Sequence, residues 1–223
     1  GVRPICKSTW IRRLAGRCLF LAHRDEVRVL LEEVGQQGLS PAGTERVVWM
    51  TRLLSEQNPR HAVLQIDEVN GFNEIHRQPA IDMVRAEASG LHGHITDVYC
   101  RTNYVVVRSP EGRVHRISMT VGPQQGCPFG SALYCLGKLQ GQRALQRQLE
   151  GTAATVCYIV DDCTVIGPAP LLRRQLGNIQ RASTVAGNRW SLGPNGKCKV
   201  WCRQPPPEAE HRALRALAVK LCA

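Results

Sequence analysis

The chain has 223 residues, 43% hydrophobic but only 5% aromatic, enough apolar content for one large or two small cores yet with few rings for stacking on bases. Lysine and arginine number 29 against 18 acids, a formal charge of +11 that favours a polyanionic partner. No apolar run of about 18 residues and no secretory signal occurs, so neither a membrane span nor export is supported. The cysteines, among them Cys18, Cys100, Cys135 and Cys157, are scattered through apolar segments and read as reduced core residues, not as a disulfide framework. Cys198 and Cys202 lack the second pair that a structural zinc site needs. Beginning at Gly1, the chain reads as a fragment or excised domain.

The opening segment concentrates the positive charge. Arg3, Lys7, Arg12, Arg13, Arg17, Arg24 and Arg28 face only Asp25 and Glu26, the pattern of a phosphate-facing surface. Apolar residues then recur at helical spacing over 25–34 and 44–55, the second segment stopping before Asn58-Pro59. HAVLQID, 61–67, predicts a strand ending in an acid, and NEIHRQPAIDMVRAEA after it has a helical period. The HGH triplet at His92–His94 reads as loop. NYVVVRSPEGRVHRISM predicts a hairpin about Ser109–Gly112, and VGPQQGCPFG a glycine- and proline-rich loop opening a helix over 131–149. Two β-rich runs follow around Asp161 and Asp162, then a helix over 169–186, a turn and short strand in RWSLGPNGKCKVW, and a helix over 208–221 after three prolines. Strands interleaved with helices, and hairpins that force antiparallel neighbours, define the expected class as α+β, an antiparallel sheet with helices on one face.

YIVDDCTVIG places two adjacent carboxylates inside an apolar run. Such a pair is costly without a counter-charge, because each ion loses hydration and the two repel. A bare Asp-Asp turn between strands is one explanation. The other is a site. Asp67 ends a separate strand, and if the two strands are neighbours three carboxylates meet. A divalent metal would then neutralise them, and two Mg²⁺ ions about 3.5–4 Å apart would suit phosphoryl chemistry.

Four segments in order resemble the motifs of reverse transcriptases. They are QIDEVNGFNEIHR, an acid followed at the fifth position by an aromatic, GPQQGCPFGSAL, YIVDDC and GPNGKCKVW. RPICKSTWIRRLAGR and GQQGLSPAGTERVVWMTRLL resemble fingers segments of the LINE-type, non-LTR retrotransposon enzymes. The resemblance implies a polymerase palm over 61–202, with fingers elements inserted at about 76–120. It also implies partial fingers over 1–60 and a C-terminal helix over 203–223 that starts a thumb or linker. The implied activity is RNA-directed DNA polymerisation, with an RNA template, a DNA primer and dNTPs as partners and two Mg²⁺ ions, replaceable by Mn²⁺, as cofactor. Nuclear action is implied, without an import signal.

Carried over position by position, Asp67, Asp161 and Asp162 would bind the metals, with the Glu68 backbone carbonyl as a further ligand. Phe72 would be the steric gate that excludes a 2′ hydroxyl, its bland alternative being core packing. Gln125 and Gly126 would lie along the incoming nucleotide. Lys197 would sit near the leaving pyrophosphate, and Arg3, Arg12 and Arg13 would hold triphosphate or template. The sequence departs from the family where Ile159 and Val160 precede Asp161, where Gly71 replaces Ala, where Gln124 replaces Arg, and in the shortened spacing from Asn195 to Lys197. The competing readings are a decayed palm that only binds nucleic acid and an intron- or retron-type reverse transcriptase.

Overall fold

The structure, a computed structural model, describes residues 9–101 and 103–222. Two helices come first, α1 (Trp10–Glu32) and α2 (Gly43–Gln57), followed by β1 (Ala62–Ile66). Helices α3 (Gly71–Glu74), α4 (Arg77–Glu87) and α5 (Ser89–Tyr99) lead to the hairpin β2 (Asn103–Arg108) and β3 (Val114–Met119). Helix α6 (Gly130–Leu149) precedes β4 (Thr155–Ile159), β5 (Asp162–Gly167) and α7 (Ala169–Thr184). The chain closes with β6 (Lys199–Cys202) and α8 (Glu208–Cys222).

Four strands form an antiparallel sheet in the order β4-β5-β1-β6, while β2 and β3 pair only with each other among the described residues. Strand alternation decides what each face carries. Ala62, Leu64 and Ile66 of β1, with Cys163 and Val165 of β5, point into a core completed by Leu145 and Leu149 of α6, Leu172 and Ile179 of α7, and Leu217 of α8. Each such leucine contributes on the order of 1.5–3 kcal/mol by leaving water. A second core joins α1, α4, α5 and the first half of α6 through Leu31, Val84, Ile95, Phe129 and Leu136. The fold is therefore α+β, with α6, α7 and α8 covering one face of the sheet. Among the described residues, no helix is long and apolar enough to cross a membrane.

Four local expectations are corrected. Helix α1 begins at Trp10, well before Asp25, and buries only Gly16, Val27 and Leu31, so its first half has no apolar period to read. The segment expected as one helix after Asp67 breaks at Ile75 and His76, whose ψ values of 136° and 132° are extended. The HGH triplet is helical, inside α5, because Leu91, Ile95, Val98 and Tyr99 supply a buried stripe that outweighs Gly93. Cys18 and Cys100 are exposed, whereas Cys135 and Cys157 are core residues, their thiols pushed up to about 12 chiefly by burial.

Candidate active site

The face of the sheet opposite the helical core carries most of the candidate acids. Gln65 of β1 points away from the Leu64 side, and Asp67 continues that register just past the strand. Ile66 pairs with Cys163, which sets Asp67 beside Asp162 on the adjacent strand, and Asp162 alternates with Thr164 on the same open face. Asp67, Asp162, Thr164 and Lys197 thus line one cleft of about 860 Å³. Helix α2 forms its other wall, and Lys199, Trp201 and Arg203 extend it along β6.

Lys197 is brought there by the turn after α7. The Asp67 carbonyl accepts hydrogen bonds from the Ser191 amide at 2.8 Å and the Cys198 thiol at 3.4 Å. The Lys197 amide returns to the Ser191 carbonyl at 3.1 Å. The exposed ammonium then stands 3.5 Å from Asp67 Oδ1. Partial burial, then the charges of Asp161 and Asp67, hold the Asp162 carboxyl above its usual range, with Lys197 opposing them. Asp161 occupies the hairpin tip and does not line this cleft; its charge is felt by Tyr134 and Cys135 of α6 as well as by Asp162.

This donor set suits a hard divalent cation, since carboxylates that repel one another are relieved by it. It is not a preformed cage. Among the described residues, no three His, Cys, Asp or Glu side chains stand together closely enough to hold a metal ion.

Beneath the cleft lies an ionic cluster that the sequence reading missed. The Glu68 backbone bridges to Trp190, while its side chain turns inward. One carboxylate oxygen accepts the Tyr134 hydroxyl at 2.5 Å and the other pairs with the Lys138 ammonium. The side chains of Lys138 and Glu68 are 1% and 0% exposed, so neither charge is solvated. Burial and the adjacent Glu68 carboxylate push the Tyr134 hydroxyl well above the tyrosine range, which keeps it a donor. Tyr134 also stacks on Phe72, with ring centroids 5.7 Å apart and planes at 10°. A Cβ at Gly130 would lie 2.8 Å from Phe72 Cζ, so glycine there lets the ring settle against the start of α6. Phe72 is half-buried and packs on the α1/α4/α5/α6 core, combining that packing with a position just past the acid-bearing strand. A lysine four residues after Tyr134 inside the apolar stripe of α6 was the available signal, and Glu68 is the acid that explains it.

The remaining candidates lie outside this cleft. Gly126 has φ +96°, a left-handed conformation suited to glycine, and shares a second cleft of about 660 Å³ with Arg13, Arg17 and Arg24 of α1. Gln125 is half-buried and donates to Asn73 Oδ1 at 3.5 Å, next to Phe72. Arg12 does not share the Arg13 cleft; it turns toward His94 of α5, whose pKa is lowered by burial and then by the Arg12 charge. Arg3 lies outside the described residues.

This arrangement of an antiparallel sheet with covering helices is a fold shared with solved telomerases. Among solved structures, the chain is similar to telomerase from Candida albicans in complex with a TWJ fragment of telomeric RNA, at a TM-score of 0.62 and 16% identity, covering 86% of this chain and 34% of that one. Apo telomerase from Candida tropicalis aligns at a TM-score of 0.60 and 11% identity, over 89% of this chain and 36% of that one. Candida tropicalis telomerase with a TWJ fragment of telomeric RNA gives 0.57 and 10%, over 86% and 36%. The chain thus spans about a third of the length of these telomerases, and at such identities the likeness is one of fold. No protein-family model matches the chain, and no curated protein does.

Proposed function

We propose that this chain is the palm, with part of the fingers, of an RNA-directed DNA polymerase of retrotransposon type that adds dNTPs to a primer 3′ end. The observation that carries the reading is the meeting of Asp67 and Asp162, from neighbouring antiparallel strands, in one cleft that also holds Lys197. Structural likeness to telomerases, two of them holding a telomeric RNA fragment, supports an RNA partner. Two Mg²⁺ ions, or Mn²⁺, held by Asp67, Asp161 and Asp162 with the Glu68 carbonyl, would polarise the phosphoryl oxygens and activate the primer hydroxyl.

The chain's own residues then position and neutralise. Asp67, Asp161 and Asp162 concentrate negative charge where cations are needed. Lys197 is exposed and able to swing from Asp67 toward the leaving pyrophosphate as a cation or proton donor. Phe72, stacked on Tyr134, would lie against the sugar as the gate, with Gln125 close by at Asn73. Arg13 and its neighbours on α1 offer guanidinium groups to template phosphates.

The test is primer extension on an RNA template with Mg²⁺ or Mn²⁺, in which dNTP-dependent product is expected. Binding of the primer–template without any product would leave a palm that only holds nucleic acid. Phe72→Val is expected to raise rNTP incorporation relative to dNTP by about tenfold, equivalent to roughly 1.4 kcal/mol of lost discrimination. Unchanged sugar selectivity in single-nucleotide incorporation would remove the gate from Phe72.

Binding should also weaken with salt. In the acid-lined cleft Arg52 and Arg203 both pair with Glu56, while Lys199 projects from β6. Lys199→Ala is therefore expected to reduce the slope of log K against log salt by about 1 on duplex substrates. A slope identical to the parent's, measured by fluorescence anisotropy, would place the duplex elsewhere.

A further inference from the structure

The acidic hairpin is built on a backbone conformation that its own sequence disfavours. Ile159 pairs with Asp162, so Val160 and Asp161 form a two-residue loop. Val160 has φ +53°. A positive φ at the first loop position is the geometry that favours glycine, and a β-branched residue there is a true outlier. Such conformations persist where the surroundings over-determine them.

The surroundings here are a segment distant in sequence. Gln36 is 0% exposed, and its side-chain amide engages both backbone groups of Val160. Its Nε2 donates to the Val160 carbonyl at 3.1 Å, and its Oε1 accepts the Val160 amide at 2.9 Å and the Gly38 amide at 2.9 Å. The backbone on either side runs along β4, with the Tyr158 amide donating to the Gly35 carbonyl at 2.9 Å and the Gln37 amide to the Tyr158 carbonyl at 2.8 Å. A Cβ at Gly38 would lie 2.8 Å from Val160 Cγ2 and 3.0 Å from Val160 N, so the segment abuts the turn itself. The segment is anchored in turn to α1, through the Gln36 amide on the Leu31 carbonyl at 3.0 Å and the Ser40 hydroxyl on Glu32 at 2.6 Å.

We infer that Gln36 is a positioning residue for the acidic hairpin: its buried amide clamps the strained Val160 turn and so sets the direction of Asp161 and the start of Asp162. The effect on turnover rests on the polymerase reading above; the clamp itself does not.

The experiment compares Gln36→Ala, Gln36→Glu, Val160→Gly and the double variant Gln36→Ala/Val160→Gly. All are assayed below their thermal midpoints, by primer extension and by amide hydrogen exchange over 158–164. Gln36→Ala is expected to lower kcat by about 10²-fold while the dNTP KM moves less than about threefold, because a displaced carboxylate hurts turnover more than binding. Hairpin amides should exchange at least about tenfold faster, with the helical cores unchanged. Gln36→Glu keeps the two acceptor contacts but sets an oxygen against the Val160 carbonyl, and should fall between the parent and Gln36→Ala. The decisive sign is rescue. Val160→Gly removes the conformational cost and should restore part of the turnover lost in Gln36→Ala, which it would not do for a protein that is merely destabilised. Parental kcat and parental hairpin exchange in Gln36→Ala would overturn the inference, as would absence of rescue alongside a uniform rise in exchange. If Gln36→Ala does not fold, Gln36→Glu decides, with parental exchange overturning the clamp. If the parent itself extends no primer, faster hairpin exchange in the variants upholds the clamp while the polymerase reading alone fails.

Discussion

Lys138→Met is expected to destabilise the folded chain by about 3–5 kcal/mol, the usual cost of removing one member of a buried ion pair. Glu68 would be left as a charge without solvent, its remaining side-chain partner the Tyr134 hydroxyl. Methionine approximates the volume and shape of the lysine stem, so the loss reports charge and not a cavity. Glu68→Gln alone should also destabilise, because it strands the Lys138 ammonium. The double variant Glu68→Gln/Lys138→Met should recover most of the loss, since the neutral amide can still accept the Tyr134 hydroxyl and no unpaired charge remains. Urea unfolding of the four proteins gives the coupling. Additive losses would mean that the two groups do not act as a pair. Because Tyr134 stacks on Phe72, the same variants should shift sugar selectivity more than they shift binding of primer–template.

This cluster shows where sequence reading stops. Asp67, Asp161 and Asp162 were visible as acids in apolar runs, because a charge in a strand breaks a local rule. The β1–β5 pairing that sets Asp67 beside Asp162 is non-local, and the sequence leaves it as a condition, that the two strands be neighbours. The Glu68–Lys138 pair was only half legible: Lys138 stands out inside the apolar stripe of α6, but Glu68 sits beside a more conspicuous acid, and the two meet only when α6 packs against the turn after β1. Gln36 was hidden for a different reason. A glutamine in a glycine-containing loop carries no pattern, and the strain it offsets exists only in the φ of Val160. Helix α1 was under-read because its first half is exposed on nearly every side, so burial imposes no period there. Arg12 and Arg13 are neighbours in sequence, but a helix turns successive residues by about 100°, and the two point to different places.

Asp161→Asn carries the largest expected functional effect. The substitution keeps shape and hydrogen-bonding capacity and removes one charge from a cluster whose members already raise the pKa of Asp162. Relief of that repulsion means that the folded protein should be as stable as the parent or slightly more so. Binding of primer–template should be equal or tighter, because a negative charge leaves the neighbourhood of the phosphates. Turnover should nevertheless fall by about 10³-fold or more, the equivalent of roughly 4 kcal/mol of lost charge stabilisation in the transition state. Opposite signs for binding and turnover separate the readings. A palm that only holds nucleic acid predicts tighter binding and no turnover in either protein. A polymerase that does not use Asp161 predicts tighter binding with turnover unchanged, and single-turnover extension at saturating dNTP would show it. Asp67→Asn should reproduce the loss of turnover, and it would in addition release Lys197 from its 3.5 Å contact. If both variants extend primers at the parental rate, neither the cleft at Asp67 nor the adjacent hairpin tip is where the chemistry happens.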